Sequence, residues 1–236
     1  MSGDIDFLIG IYGFAPDTDS RIISYLGNLC EKCNLDGVNV FCAERKCRPA
    51  SDDLKTVVRS MGFSLLSCPL LPFSECREDT SQFCDWMVNN TGTAPWFIVS
   101  HFDVVFHADY IGYVRSLMHD ADMVGNHHDG IVSVRRTAYH QCQLGFCGVD
   151  RFSICKNVHG EYWIAPNDYP YDGKDGARCL SLDVGELLAI RMHTLSLRHV
   201  WLSRDDDFRK DIRKDIGKSD LFTHTRLGSG HGNGGG

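Results

Sequence analysis

The sequence predicts an α/β protein: a single domain with a mostly parallel central sheet and helices on both faces. Three observations carry this. Compact apolar runs alternate with stretches of helical period along the chain. No internal repeat and no Pro- or Ser-rich linker divides it. Its 236 residues, 43% hydrophobic and 23% charged, have the balance of a globular chain. Residues 1–227 are read as the domain and 228–236 as a flexible Gly-rich tail.

The elements follow in order. Residues 7–12 are an apolar run closed by Gly13-Phe14-Ala15-Pro16, a buried strand and its turn. Residues 17–20 offer capping side chains to a helix striped by Ile22, Ile23, Leu26, Leu29, Cys30 and Cys33. Residues 38–42 make a second strand. Ser51 caps a helix striped by Leu54, Val57, Val58 and Met61 and stopped by Gly62. Residues 63–68 are a third strand, and such alternation implies parallel pairing with right-handed crossovers. A helix over 80–88 leads to the strongest strand, 96–100. A helix over 109–119 and short strands at 123–124 and 131–134 come next. Residues 138–180, rich in Gly, Tyr, Asp and Asn, read as an irregular insertion. Asp183 caps a helix carrying Leu187, Leu188, Ile190 and Leu195; a strand at 199–202 and a charged helix at 205–216 close the domain.

With 24 Lys+Arg against 31 Asp+Glu the net charge is −7, so bulk attraction to nucleic acid or an anionic membrane is not expected. An acidic excess suits a site that gathers divalent cations. No apolar run is long enough to cross a bilayer, and residues 1–6 are acidic where a secretory leader is basic. The expectation is a soluble, cytoplasmic protein without a membrane partner. The eleven cysteines are odd in number and scattered, which speaks against a disulfide framework. Cys30 and Cys33 form the only CxxC; Cys42 and Cys47 flank a charged loop that could complete a zinc site, but small buried apolar thiols are the plainer reading.

Ligands of open parallel sheets sit outside the carboxyl ends of the strands. There the chain reads Ser100-His101-Phe102-Asp103, and strand alternation would put His101 and Asp103 on one face, able to hold a divalent cation. Two residues alone are equally well explained by Asp103 capping a turn and His101 lying at the surface. Arg135 and Arg136 could meet a phosphate, although paired arginines are usually solvated. His127, His128 and Asp129 are adjacent, so an extended backbone would point them apart. Tyr162, Trp163, Tyr169 and Tyr171 suit a sugar platform or a small local core.

Taken in order, these landmarks resemble the GT-A nucleotide-sugar glycosyltransferases, in particular their small inverting members. The matching pieces are the first strand and loop (residues 7–16), the apolar strand ending in His101-Phe102-Asp103, and the strand entered by Asp122-Met123-Val124-Gly125. Late in the chain come Asp183-Val184-Gly185-Glu186 and His224-Thr225-Arg226-Leu227-Gly228-Ser229-Gly230. The resemblance implies a Rossmann-related sheet and transfer of a sugar from a nucleotide-diphosphate donor, most simply a UDP-sugar, to an acceptor that the sequence does not identify. It implies donor contacts from Tyr12, Gly13, Glu44, Asp103 and Arg226, and a metal held by His101, Asp103 and a returning His224. Asp183 or Glu186 would serve as catalytic base, with Asp168, Asp172 and Asp175 as alternatives; the two favoured residues also fit a capping box. His101 stands where the usual Asp-x-Asp motif has its first Asp, and imidazole suits Mn²⁺ better than Mg²⁺. Glu44 stands where relatives often hold the nucleobase with Asp; a solvated loop charge is the alternative. Two other classes remain open: a non-catalytic Cys/His zinc-binding interaction module, and a metal-dependent nucleotidyltransferase. The latter would want a basic, Gly-rich loop after the first strand, where this chain is acidic.

Overall fold

A computed structural model describes residues 3–11, 17–70, 76–125, 130–139, 169–171, 178–180, 188, 192, 195–202 and 220–225. The first half of the chain lays down β1 (Ile5–Gly10), α1 (Thr18–Lys32), β2 (Val38–Arg45), α2 (Asp52–Ser60), β3 (Ser64–Cys68), α3 (Cys76–Asn90) and β4 (Trp96–Ser100). Then come β5 (Val104–Phe106), α4 (Tyr110–Leu117), β6 (Met123–Gly125) and β7 (Ile131–Arg135). The short strands β8 (Tyr169–Tyr171), β9 (Arg178–Leu180), β10 (His199–Val200) and β11 (Phe222–His224) follow.

Seven strands form one sheet in the order β10-β6-β7-β4-β1-β2-β3. β1 pairs in parallel with both β2 and β4, and β2 with β3, as the alternation required. β7 runs antiparallel between β4 and β6. The pleat of the central strands sorts the core into two layers. Ile5, Phe7, Ile9, Trp96 and Ile98 pack with α1, α2 and α4, while Leu8, Phe97 and Val99 pack with Phe83, Met87 and Val88 of α3. Helices therefore cover both faces of a mostly parallel sheet.

Local signals account for most boundaries. Ser51 Oγ accepts from Leu54 N at 3.1 Å, so the expected cap forms, and Asp109, the first residue of the helix expected over 109–119, acts as a cap as its Oδ1 accepts from Gly112 N at 2.9 Å. Gly62, at φ +76°, ends the turn after α2 in the left-handed region. Asp17 stands at the N-cap of α1 without a side-chain capping bond, and the Ser20 hydroxyl instead donates to Asp17 O at 2.8 Å. β1 begins two residues before the expected strand because Ile5 is already in register with Val38 and Trp96. The insertion expected to be irregular contains the antiparallel pair β8–β9.

β5 and β11 form a separate antiparallel ribbon, with Phe222 opposite Phe106 and His224 opposite Val104. α1 fixes the ribbon's other edge: Asn28 Oδ1 accepts from Phe106 N at 2.7 Å, and its Nδ2 donates to Phe106 O at 3.2 Å. An amide side chain thus replaces a neighbouring strand. The final segment reaches the sheet's carboxyl side by this pairing.

Arg135, the last residue of β7, and Arg136 after it are engaged at the amino edge of the sheet, away from the carboxyl ends. Arg136 pairs with the fully buried Asp6 at 2.6 Å, and Arg135 pairs with Asp122 at 3.2 Å. The solvated reading is therefore corrected for Arg136, whose side chain is 13% exposed, while Arg135, at 37%, pairs with Asp122 and still faces solvent. Asp122 also receives Arg198 through its backbone and guanidinium. Burial opposes ionisation of Asp122, but its bonds to Arg198 and Arg135 outweigh it and leave the carboxyl below its ordinary value.

Two outcomes test this scaffold. Arg136→Met strands the buried Asp6 charge and should cost about 3–5 kcal/mol, read as a lower denaturant midpoint; an unchanged midpoint would contradict the pairing. A carboxyl with a depressed folded-state pKa stabilises above its unfolded value and loses that contribution as the pH falls through the folded one. The stability gap between wild type and Asp122→Asn should therefore be widest near neutrality and close below about pH 4.

Candidate functional site

The carboxyl ends of β1 and β4 lie side by side, Ile9 in register with Ser100. β4 ends at Ser100, and residues 101–103 turn the chain into β5. His101 N donates to Gly130 O at 2.7 Å, fixing the turn to the start of β7. Asp103 O accepts from both Thr225 N and Thr225 Oγ1 at 2.8 Å, fixing the turn to the end of β11. Side-chain atoms of His101, Asp103 and His224 consequently lie within 4.8 Å of one another. His224 Nε2 sits 3.1 Å from Asp103 Oδ1, and the two imidazoles meet edge-on at 5.9 Å between centroids. Asp103 is buried, His224 half-buried and His101 exposed, so the cluster opens outward on the His101 side.

The cluster is supported from α1. Tyr25 donates to Ser100 Oγ at 2.7 Å. Burial raises the Tyr25 hydroxyl well above its ordinary value, against the opposing Ser100 bond, and the nearby Asp103 charge adds to the rise. It stays protonated and remains a donor. One turn earlier on α1, Arg21 lies over the Phe102 ring at 5.6 Å.

The structure therefore gathers the three residues singled out as metal ligands, from positions 121 residues or more apart in the case of His224 and its two partners. The geometric reason differs from the expected one for His101 and Asp103, which sit in a turn rather than alternating along a strand. Glu44 is not a solvated loop charge: it is buried at the end of β2, where Oε2 accepts from Ala50 N at 2.9 Å and pairs with Lys55 at 3.1 Å. Tyr12, Gly13, Asp183, Glu186 and Arg226 lie outside the described residues, as do Asp168, Asp172, Asp175, Tyr162, Trp163 and residues 127–129. Sequence reasoning missed Arg21 and Gly130, and it gave Thr225 no role of its own although the residue lies in the quoted 224–230 segment. Their roles come from contacts across the fold, and periodicity marks none of them.

Among the described residues, this cluster is the one group of His, Cys, Asp or Glu side chains close enough to share an ion. The CxxC and Cys42–Cys47 zinc arrangement does not form. Cys33, Cys42, Cys68 and Cys84 are buried, while Cys30 and Cys47 are exposed. Burial pushes the Cys33 thiol up to about 11 and the Cys42 thiol up to about 12, so both stay protonated and unreactive near neutral pH. Among the six described cysteines, alkylation of the native protein followed by peptide mapping should label Cys47 first and spare Cys33, Cys42, Cys68 and Cys84 until denaturant is added. Early labelling of Cys42 would contradict this packing.

No protein-family model and no curated protein sequence matches the chain. Solved structures do. The glycosyltransferase GlyE of Streptococcus pneumoniae superposes with a TM-score of 0.52 at 9% identity, covering 95% of this chain and 55% of GlyE. The mannosyltransferase PcManGT of Pyrobaculum calidifontis, solved with GDP-mannose and Mn²⁺, gives 0.48 at 11% identity, over 85% of this chain and 55% of that one. A Drosophila β-1,4-galactosyltransferase 7 mutant, solved with manganese, UDP-galactose and xylobiose, gives 0.45 at 9% identity, over 93% and 70%. The chain spans about half the length of GlyE and of PcManGT. Its fold is the GT-A fold of nucleotide-diphospho-sugar glycosyltransferases.

Proposed function

We propose that the protein is a metal-dependent glycosyltransferase that moves a sugar from a nucleotide-diphosphate donor, a UDP-sugar by preference, to an acceptor with inversion at the anomeric carbon. One observation carries the reading: a His101–Asp103–His224 cluster at the carboxyl edge of a GT-A sheet, where open α/β sheets bind their ligands. The shared fold with GlyE supports the enzyme class. Fold alone does not fix function, so the cluster is what turns an architecture into a chemistry.

The donor set fits a divalent transition-series cation. Two imidazoles and one carboxylate within 4.8 Å suit Mn²⁺ better than Mg²⁺, which prefers an all-oxygen shell. Bound there, such a cation supplies positive charge against a departing diphosphate. The chain's own groups do the rest. Asp103 and His224, fixed by Thr225 and the β5–β11 ribbon, need no large rearrangement to share an ion. Tyr12 and Gly13 after β1, Glu44 through its second carboxylate oxygen, and Arg226 orient the donor. Asp183 or Glu186 takes the acceptor hydroxyl proton as the new glycosidic bond forms.

The test combines binding with turnover. UDP, GDP, CDP and TDP, each with and without Mn²⁺, are screened for thermal stabilisation; a folded protein unmoved by all four contradicts the donor site. Asp103→Asn keeps the side chain's shape and should lower donor hydrolysis or transfer by about a hundredfold or more, with the melting temperature retained. Near-normal turnover would reduce Asp103 to a structural residue. His101→Ala should be milder and should narrow the advantage of Mn²⁺ over Mg²⁺.

A further inference from the structure

Gly130 touches both histidines of the cluster, yet it contributes no side chain. Its carbonyl accepts from His101 N at 2.7 Å. On its other side, a Cβ at this position would lie 2.9 Å from His224 Cδ2, 3.0 Å from Cγ and 3.1 Å from Nε2. The first is shorter than real Cβ contacts and the other two are tighter than nearly all of them, and because three atoms of one ring are involved the ring must shift as a whole. The ring has little freedom to retreat. His224 lies in register opposite Val104 in β11, the next residue is bonded twice to Asp103 O, and the Nε2 edge faces Asp103 Oδ1 at 3.1 Å. Gly130 also sits at φ +72°, where a Cβ is disfavoured for backbone reasons alone.

We infer that Gly130 is a positioning residue of the metal centre: its carbonyl orients His101, and its missing side chain is the space that His224 occupies. This rests on the metal reading above and deepens it. It assigns the ligand geometry to a residue that binds nothing itself. Any side chain at position 130 would expel His224 from the cluster while leaving Asp103 and the sheet in place. The site would then lose the ligand that comes from the far end of the chain.

A double-mutant cycle separates this role from ordinary backbone strain. Gly130→Ala, His224→Ala and the double variant are compared with wild type by Mn²⁺ affinity, read from the free-ion paramagnetic resonance signal, and by melting temperature without metal. Gly130→Ala should weaken Mn²⁺ binding about tenfold or more, comparably to His224→Ala, and the double variant should bind no more weakly than His224→Ala. In the metal-free melts, removing the His224 ring should recover part of the stability lost in Gly130→Ala, because the overlap is gone. If Gly130→Ala does not fold, recovery of folding in the double variant makes the same point. Unchanged Mn²⁺ affinity in folded Gly130→Ala, additive losses, or no recovery on removing the ring would overturn the inference. A wild-type protein that binds no Mn²⁺ would instead defeat the metal reading, and the positioning role with it, even where the melts still reveal the contact.

Discussion

The structure depends first on a carboxylate placed where a strand should carry an apolar side chain. Asp6 sits second in β1, on the face that Leu8 shares with α3, and it is fully buried. Ionised there without partners, it would be strongly unfavourable. Its oxygens instead receive Arg136 Nη2 at 2.6 Å, Asn39 Nδ2 at 2.9 Å and Ala94 N at 3.2 Å. Arg136 in turn donates to Ala94 O and Val88 O at 2.9 and 2.8 Å and to Thr91 Oγ1 at 3.2 Å, with its guanidinium over Phe97. One ion pair thereby joins β1, β2, the end of α3, the entry to β4 and the end of β7. Gly92 belongs to the same arrangement, since a Cβ there would meet Asp6 Oδ1 at 2.9 Å.

That knot lies wholly at the amino edge, and its position has a consequence for the opposite one. A β4 anchored at its start by Arg136 can end abruptly at Ser100 without losing its place between β1 and β7. The turn at 101–103 is then held by its own partners, Gly130 before β7 and Thr225 after β11. The polar groups of the amino edge are used to fix strands. Those of the carboxyl edge are drawn into a cluster with one exposed member, His101. Paired arginines one residue apart therefore act structurally, while two histidines 123 residues apart converge.

The parts legible in the sequence are those with local causes. Apolar runs gave away β2, β3 and β4, and Ser51 and Asp109 marked helix starts that the structure retains. β5 and β11 escaped because three residues carry no measurable period, and their pairing spans more than a hundred positions. The antiparallel sense of β7 also escaped, since strand direction is not encoded in apolar alternation. At the site, His101, Asp103 and His224 were recognisable as residue types in a resembling order. Gly130 was not, because its contribution is an empty volume defined by a ring that arrives from elsewhere. Arg136 was misread because charge patterning cannot reveal that Asp6, 130 residues earlier, would be buried beside it.

The replacement of a carboxylate by His101 also changes the electrostatics of the proposed centre. An Asp-x-Asp pair brings two negative charges to a cation, whereas His101-Phe102-Asp103 brings one, and a neutral His224 adds none. Two unit charges 4 Å apart interact by about 4 kcal/mol at the effective dielectric of a protein surface, so for a divalent ion the site forgoes about twice that attraction. The same missing charge leaves a loaded site with net positive charge, and it is that excess which a diphosphate meets. Cation and diphosphate would thus favour each other's binding more strongly here than at a dicarboxylate site. Ligand softness takes over the part that charge no longer plays, because imidazole nitrogen discriminates among cations where carboxylate oxygen largely does not.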